Sequence, residues 1–178
     1  MKELIKNFLK KNDLNIAISY EMPKGYESAY GTYDFFKNTL FVNEEKISQN
    51  KALAVFTFFH ELHHAMQFNK PEEFSNEINE FLGYVILYDG TCYKVKNSEW
   101  KSCKLKGSPA FYKRAYLSLP YEIDANEYAL KKSLEVLNKE DSDRLMKFYK
   151  TNCVTDKKLT REEIITIAKA IDKEVDGQ

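Results

Sequence analysis

This chain lacks the features that mark several large classes of protein. Lysine and arginine together number 27, as do aspartate and glutamate, so the formal net charge is zero and the basic excess of a nucleic-acid binder is missing. No stretch approaches the run of about 20 apolar residues that a membrane span requires. The three cysteines are odd in number and are not spaced as metal-binding pairs. We therefore expect free thiols, and neither nucleic acid nor a membrane as a partner.

A secretory signal is also missing from the first residues. In residues 1–14 never more than two apolar residues precede a charge, so the apolar core of a signal peptide is absent. Together with free thiols, this favours the cytoplasm. With 178 residues the chain has about the length of one domain. We predict a single domain over residues 1–178, with residues 91–109 as an insertion.

Histidine is equally scarce, and its distribution is the most informative feature of the sequence. All three histidines lie in the run His60-Glu61-Leu62-His63-His64, which contains the pattern H-E-x-x-H. On a helix His60 and His64 project from the same face, so both imidazoles can bind one cation. Glu61 points about 100° away from His60 around the helix, where it can take a proton from a metal-activated water. Zinc suits two neutral imidazoles and a carboxylate with a fourth position left for water.

The surroundings of the motif favour a metal site over a chance match. The preceding stretch, ALAVFTFF from Ala52 to Phe59, is apolar on every side and belongs in the interior of a protein. Three histidines and a glutamate would be costly there without partners. A metal ion removes that cost. We interpret His63 as a structural residue or as support for a ligand.

The hydrophobic pattern predicts an α+β fold in which a small antiparallel three-stranded sheet packs on a buried active-site helix. A first helix ends near residues 12–13, and the three strands cover residues 15–20, 28–35 and 39–42, the last two forming a hairpin. The active-site helix is predicted from Asn50 to Phe68, and Pro71 marks the break after it.

Further helices are predicted in the second half of the chain. Apolar residues at helical spacing predict a helix from Glu72 to near Leu87, followed by a hairpin or ordered insertion between Thr91 and Pro109. Later helices are predicted from Pro120 to about residue 137, over residues 143–150, and after a capping box formed by Thr160 and Glu163.

A third protein ligand is needed, and it should be a carboxylate because no histidine remains outside the motif. One group of candidates lies on the helix after the motif: Glu73, Glu77 and Glu80. The other lies in the run YEIDANEYA: Glu122, Asp124 and Glu127. Glu122 is modestly preferred, because Asn126 follows it on the same helical face and could accept the N–H of a metal-bound imidazole. Glu77 and Glu80 stay open as alternatives.

The pair HELHH and EIDANEYA resembles the minimal gluzincin pattern H-E-x-x-H followed by E-x-x-A-N-x-[FY]-A of ImmA/IrrE-type metallopeptidases. The stretch GTYDFFKNTLFVN is similar to the hairpin before the active-site helix of that family, and the resemblance covers about residues 28–129. It implies a zincin-like fold, with His60, His64 and Glu122 as zinc ligands and Glu61 as general base. It also implies that Asn126 supports His60.

The resemblance implies zinc-dependent peptide-bond hydrolysis by a narrow-specificity intracellular protease that acts on a protein of a mobile element. An edge strand of the hairpin could pair with an extended peptide or protein substrate. Such enzymes often use a tyrosine to stabilise the oxyanion, and Tyr116 and Tyr121 are candidates. The alternative is a catalytically silent, zinc-binding regulatory or interaction protein of a mobile element, against which the intact Glu61 argues.

Overall fold

A computed structural model describes residues 2–177, without the side chains of Lys2 and Leu4, so Met1 and Gln178 of the predicted domain lie outside the described residues. The helices are α1 (Lys2–Lys11), α2 (Glu44–Gln49), α3 (Lys51–Asn69), α4 (Asn76–Phe81), α5 (Pro109–Tyr116), α6 (Pro120–Val136), α7 (Lys139–Asn152) and α8 (Arg161–Asp176), with a 3-10 turn at Pro71–Glu73. The strands are β1 (Ala17–Ser19), β2 (Gly31–Asp34), β3 (Thr39–Val42), β4 (Tyr84–Ile86), β5 (Thr91–Lys96) and β6 (Glu99–Lys104). The predicted α+β class is confirmed.

The first sheet has the strand order β1-β3-β2 and is mixed. The predicted hairpin is confirmed, since β2 and β3 pair antiparallel with Gly31 opposite Val42. β1 pairs parallel with β3, with Ala17 opposite Thr39, so the prediction of an antiparallel three-stranded sheet is wrong at this strand. Side chains alternate with a period of two in both kinds of pairing, so the pattern of apolar residues did not reveal the direction of β1.

α3 carries the H-E-x-x-H motif and closely matches the helix predicted from Asn50 to Phe68. Asn50 caps it, and its side chain accepts a hydrogen bond from the backbone N–H of Leu53 at 3.1 Å. The helix packs against β2 and β3. Its buried residues lie all around its axis, as expected for a helix without a polar face.

The chain divides into two compact units. The first contains the chain up to Phe74 and Ala125–Thr151, and the second contains Ser75–Asp124 and the chain after Thr151. Helix α6 crosses this division, because its first residues belong to the second unit and the rest to the first. The prediction of a single domain stays a prediction.

The second unit contains an antiparallel sheet in the order β4-β5-β6. Its β5–β6 hairpin confirms the hairpin predicted after Thr91. Of the helix predicted from Glu72 to near Leu87, only α4 (Asn76–Phe81) is present: Pro71–Glu73 form a 3-10 turn before it, and Tyr84–Ile86 pair with β5 as a strand. Gly83 separates the two elements and is a poor helix former, and the apolar residues after it are buried equally well in a sheet.

The helices predicted in the last third of the chain agree more closely with the structure. α6 begins at Pro120 as predicted, and α7 is longer than the predicted residues 143–150. The capping box of Thr160 and Glu163 is present at the start of α8. The sequence pattern does not predict α2 or α5, which are short. Among the described residues, no helix combines the length and the apolarity that a membrane crossing requires.

Candidate metal centre

The two motif histidines at the ends of H-E-x-x-H face each other on α3. The Nε2 atoms of His60 and His64 are 3.0 Å apart, and the ring centroids are 4.5 Å apart. His60 is buried, with 8% of its surface exposed, and His64 is half-buried. A zinc ion binds a histidine nitrogen at about 2.1 Å, so two nitrogens that bind one ion can lie up to twice that distance apart, and these two lie closer than that. One cation can therefore contact both.

Glu122 supplies a carboxylate to the same group. It lies in the first turn of α6 and is 6% exposed. The ligand atoms of His60, His64 and Glu122 all lie within 4.8 Å of one another. A buried carboxylate is costly unless it is paired with positive charge or coordinates a metal. This group of two imidazoles and one carboxylate could hold a metal ion.

The other carboxylates considered as third ligand lie in more exposed settings. Glu73, Glu77 and Glu127 are exposed, and Asp124 is half-buried. Glu80 is exposed as well and forms an ion pair with Arg161 at 2.7 Å. Within the part of the chain that the structure describes, Glu122 is the carboxylate that joins the two histidines.

Glu61 is held by the edge of the first sheet. Its Oε2 accepts a hydrogen bond from the backbone N–H of Tyr33 at 2.9 Å. The backbone N–H of Asn43 donates to the carbonyl of Tyr30, so these two residues form a hydrogen-bonded pair of β2 and β3. In an antiparallel sheet, hydrogen-bonded and non-hydrogen-bonded residue pairs alternate along the strands. Tyr33 therefore belongs to a non-bonded pair, and its N–H points away from β3. Because β2 is an edge strand, Glu61 bonds to the outer side of the sheet.

Gly31 lies where β2 comes close to the backbone of β3, near Glu61. A Cβ atom on Gly31 would lie 2.9 Å from the carbonyl oxygen of Phe41, 3.7 Å from Cγ2 of Thr57 and 3.9 Å from Cγ of Glu61. The contact with the Phe41 carbonyl is closer than real Cβ atoms come to other heavy atoms, and backbone cannot rotate away. Glycine at this position therefore allows β2 to lie this close to the backbone of β3, whereas the distances to Thr57 and Glu61 are ordinary van der Waals contacts.

The remaining motif histidine, His63, has an aromatic environment. It is 5% exposed. Its ring stacks on Tyr128 with centroids 4.1 Å apart and meets the edge of Phe74 at 5.4 Å. Tyr128 lies on α6, so this stack joins the two helices that carry the candidate metal ligands.

Gln67 is a residue of the site that the sequence analysis missed. It lies on α3, is completely buried, and places Oε1 2.8 Å from Nδ1 of His64. The signal that could have found it is its position three residues after His64, on the same face of the helix. Asn126, expected from the sequence to support His60, is buried one turn after Glu122, and its bond to His60 stays a prediction.

The two tyrosines considered as oxyanion donors have different partners. The Tyr116 side chain hydrogen-bonds to Glu122. Burial, followed by the negative charge of Glu122, raises the pKa of Tyr116 well above its usual value, so its hydroxyl keeps its proton and donates. The hydroxyl of Tyr121 donates instead to the carbonyl of Tyr84 at 2.7 Å. Tyr116 therefore contacts a candidate ligand.

No model of a known protein family, no curated protein and no solved structure matches this chain. The chemistry of the donor atoms is therefore the guide to function. Two neutral imidazoles and one carboxylate form a set that zinc binds in catalytic sites, where a further position stays open for water or substrate. Structural zinc sites usually have four protein ligands.

Proposed function

We propose that this chain is a zinc-dependent metallopeptidase of the gluzincin type with a zincin-like fold. The observation that carries the proposal is the group of His60, His64 and Glu122, with Glu61 next to the first of these ligands in the motif. Zinc, when bound, would polarise the carbonyl of the scissile peptide bond and lower the pKa of the attacking water. The first of these effects favours attack on the carbonyl, and the second favours loss of a proton to Glu61.

Glu61 is the general base of this proposal. Its carboxylate accepts a proton from the attacking water and passes it to the leaving amine. The hydrogen bond from the Tyr33 N–H restrains the carboxylate at the edge of β2. A restrained base contributes more than a mobile one, because the proton transfer requires a defined geometry.

The edge of β2 is the proposed place for an extended peptide or protein substrate. Gly31 lies in the same kind of pair as Tyr33, so its backbone groups also point away from β3. An extended peptide can add to such an edge as a further strand. In this arrangement Gly31 would pair with the substrate while the Tyr33 N–H holds Glu61.

We also propose a cytoplasmic, narrow-specificity protease that acts on a protein of a mobile element. The three cysteines, Cys92, Cys103 and Cys153, are free thiols, which suits a reducing compartment. The narrow specificity and the type of target come from the sequence resemblance alone. The competing function, a zinc-binding regulatory protein that cleaves nothing, would use the same ligands and differ in what Glu61 does.

One set of variants tests the ligands and the base together. Bound zinc and cleavage of a mixed peptide library are measured for the wild type, Glu61→Gln, Glu122→Ala and Glu77→Ala. We expect Glu61→Gln to keep zinc and lose cleavage, Glu122→Ala to lose zinc, and Glu77→Ala to change neither. Full zinc retention in Glu122→Ala, with loss in Glu77→Ala, would contradict the ligand assignment. A zinc-loaded wild type that cleaves no peptide would favour the regulatory protein.

A further inference from the structure

Gln67 is a buried polar residue beside one of the candidate metal ligands. It is completely buried on α3, where an amide is costly unless it is hydrogen-bonded. Its Oε1 lies 2.8 Å from Nδ1 of His64, within the same helix. A bond between residues three positions apart joins no separate elements, so its effect is on the orientation of the His64 ring.

The bond determines which nitrogen of His64 faces the metal group. An amide oxygen only accepts hydrogen bonds, so Nδ1 of His64 must carry the proton. In a neutral imidazole the other nitrogen, Nε2, then carries the lone pair. This is the atom that lies 3.0 Å from Nε2 of His60.

We propose that Gln67 is a positioning residue for the metal centre, which holds His64 in the tautomer and ring orientation that present Nε2 to a divalent cation. Metal-bound histidines commonly donate their second N–H to a carbonyl or carboxylate, and loss of that acceptor weakens metal binding. The inference rests on the metal site of the proposed function and does not require peptidase activity.

The neutral amide has a further consequence for charge. Glu122 is the single carboxylate in the ligand group, so a divalent cation bound there keeps net positive charge. A carboxylate in place of the Gln67 amide would add negative charge through the His64 ring and reduce that positive charge. An amide therefore orients the ligand without weakening the cation as an electrophile.

Two variants separate the acceptor from the shape of the side chain. Gln67→Met keeps a similar length and removes the acceptor, and Gln67→Glu keeps the acceptor. Zinc affinity is measured by competition with a chelator of known affinity, and folding is checked by circular dichroism. We expect Gln67→Met to bind zinc about 10- to 100-fold more weakly and Gln67→Glu to bind at least as tightly as the wild type.

Ser133→Ala is the matched control for loss of a buried polar group. Ser133 is also completely buried in the first unit, but it lies on α6 outside the metal group. We expect this variant to bind zinc like the wild type. Equal affinities for Gln67→Met and the wild type would overturn the proposal, as would equal losses in Gln67→Met and Gln67→Glu.

The wild type offers a test that requires no substitution. Nitrogen-15 NMR of the zinc-loaded protein identifies the protonated and the metal-bound nitrogen of His64. We expect the proton on Nδ1, and a proton on Nε2 would overturn the proposal even if Gln67→Met did not fold. A wild type that binds no zinc would overturn both the proposed function and this inference. A zinc-bound wild type without peptidase activity would count against the function alone.

Discussion

The backbone N–H of Tyr33 donates a hydrogen bond of 2.9 Å to the carboxylate of Glu61, so an edge strand holds the candidate base. The bond comes from the main chain and is unaffected by ordinary substitutions of Tyr33. It also uses an N–H that would otherwise be available to a neighbouring strand.

Removal of this N–H should impair turnover and leave the metal in place. Tyr33→Pro lacks the donor, and proline is tolerated where a strand N–H points away from its neighbour. We expect kcat to fall by about 10- to 100-fold, because a misplaced catalytic group loses rate steeply with distance. Zinc content should not change. The measurement is kcat and KM with a peptide found in a library screen.

Tyr33→Ala is the control for this prediction, because it keeps the N–H and loses the side chain. The Tyr33 hydroxyl hydrogen-bonds to Asn38 and Asn69, so some loss of stability is expected in both variants. A similar kcat in Tyr33→Pro and Tyr33→Ala would show that the N–H does not position Glu61.

A methyl group on Gly31 should destabilise the first unit. The added Cβ would lie 2.9 Å from the Phe41 carbonyl, so the strand or its neighbour must shift. We expect Gly31→Ala to lower the free energy of unfolding by about 1–3 kcal/mol, as other overpacked sites do. Urea denaturation followed by circular dichroism measures this. Gly83→Ala is the comparison, since the nearest atom to its Cβ would be 4.0 Å away, and equal stabilities of the two variants would contradict the prediction.

Zinc should stabilise the native protein through the three proposed ligands. A ligand that binds the folded state alone adds about 2.7 kcal/mol when its free concentration is 100 times its Kd. We expect the Tm to rise with zinc, to fall when a chelator is added, and to be insensitive to zinc in Glu122→Gln. Glu80→Gln removes an exposed ion pair and should keep the response. A response to zinc in Glu122→Gln equal to that of the wild type would exclude Glu122 as a ligand.

His63 should be dispensable for metal binding although it belongs to the same motif. Its ring stacks on Tyr128, so His63→Phe keeps an aromatic side chain in an aromatic environment. We expect this variant to bind zinc, whereas His60→Phe loses it. Zinc content after dialysis distinguishes the two. Loss of zinc in a folded His63→Phe would contradict the prediction and show that His63 binds the metal or supports one of its ligands.

Stability should fall at alkaline pH through Tyr84. Burial, and next the hydrogen bond to Asp172, raises the pKa of Tyr84 from 10.0 to about 12. The contribution of the Tyr84 hydroxyl to the free energy of unfolding is complete below pH 10. It is lost as the pH rises from about 10 to about 12, because the unfolded chain releases this proton at a lower pH than the folded protein. We expect Tyr84→Phe to reduce the slope of the free energy of unfolding in this range. A slope in Tyr84→Phe equal to that of the wild type would contradict the prediction.

Much of α3 and its motif could be predicted from the sequence, because the determinants are local. Asn50 is a strong cap, the residues after it are apolar on every side, and four-residue spacing on a helix places His60 and His64 on one face. The same is true of the Thr160 and Glu163 capping box. Gln67 was equally local, because it follows His64 by three residues on the same face of α3, but the sequence analysis did not use that spacing.

The strands show where local pattern fails. Apolar residues at 84–86 suit a helix or a strand, and pairing with β5 decided between them. The direction of β1 depended in the same way on its partner β3. Hydrogen bonds between strands connect residues of different segments, so neither outcome could be read from the segment itself.

The sequence by itself determined the part of the candidate site that lies on α3: a buried helix with two imidazoles on one face and a glutamate beside them. Sequence spacing left several carboxylates as candidates for the third ligand, because chain separation says nothing about distance once strands and helices intervene. The tertiary structure decided that the start of α6 lies where Glu122 meets His60 and His64, within 4.8 Å. It also placed the edge of β2 against Glu61, because packing against α3 and not local propensity sets the position of that strand.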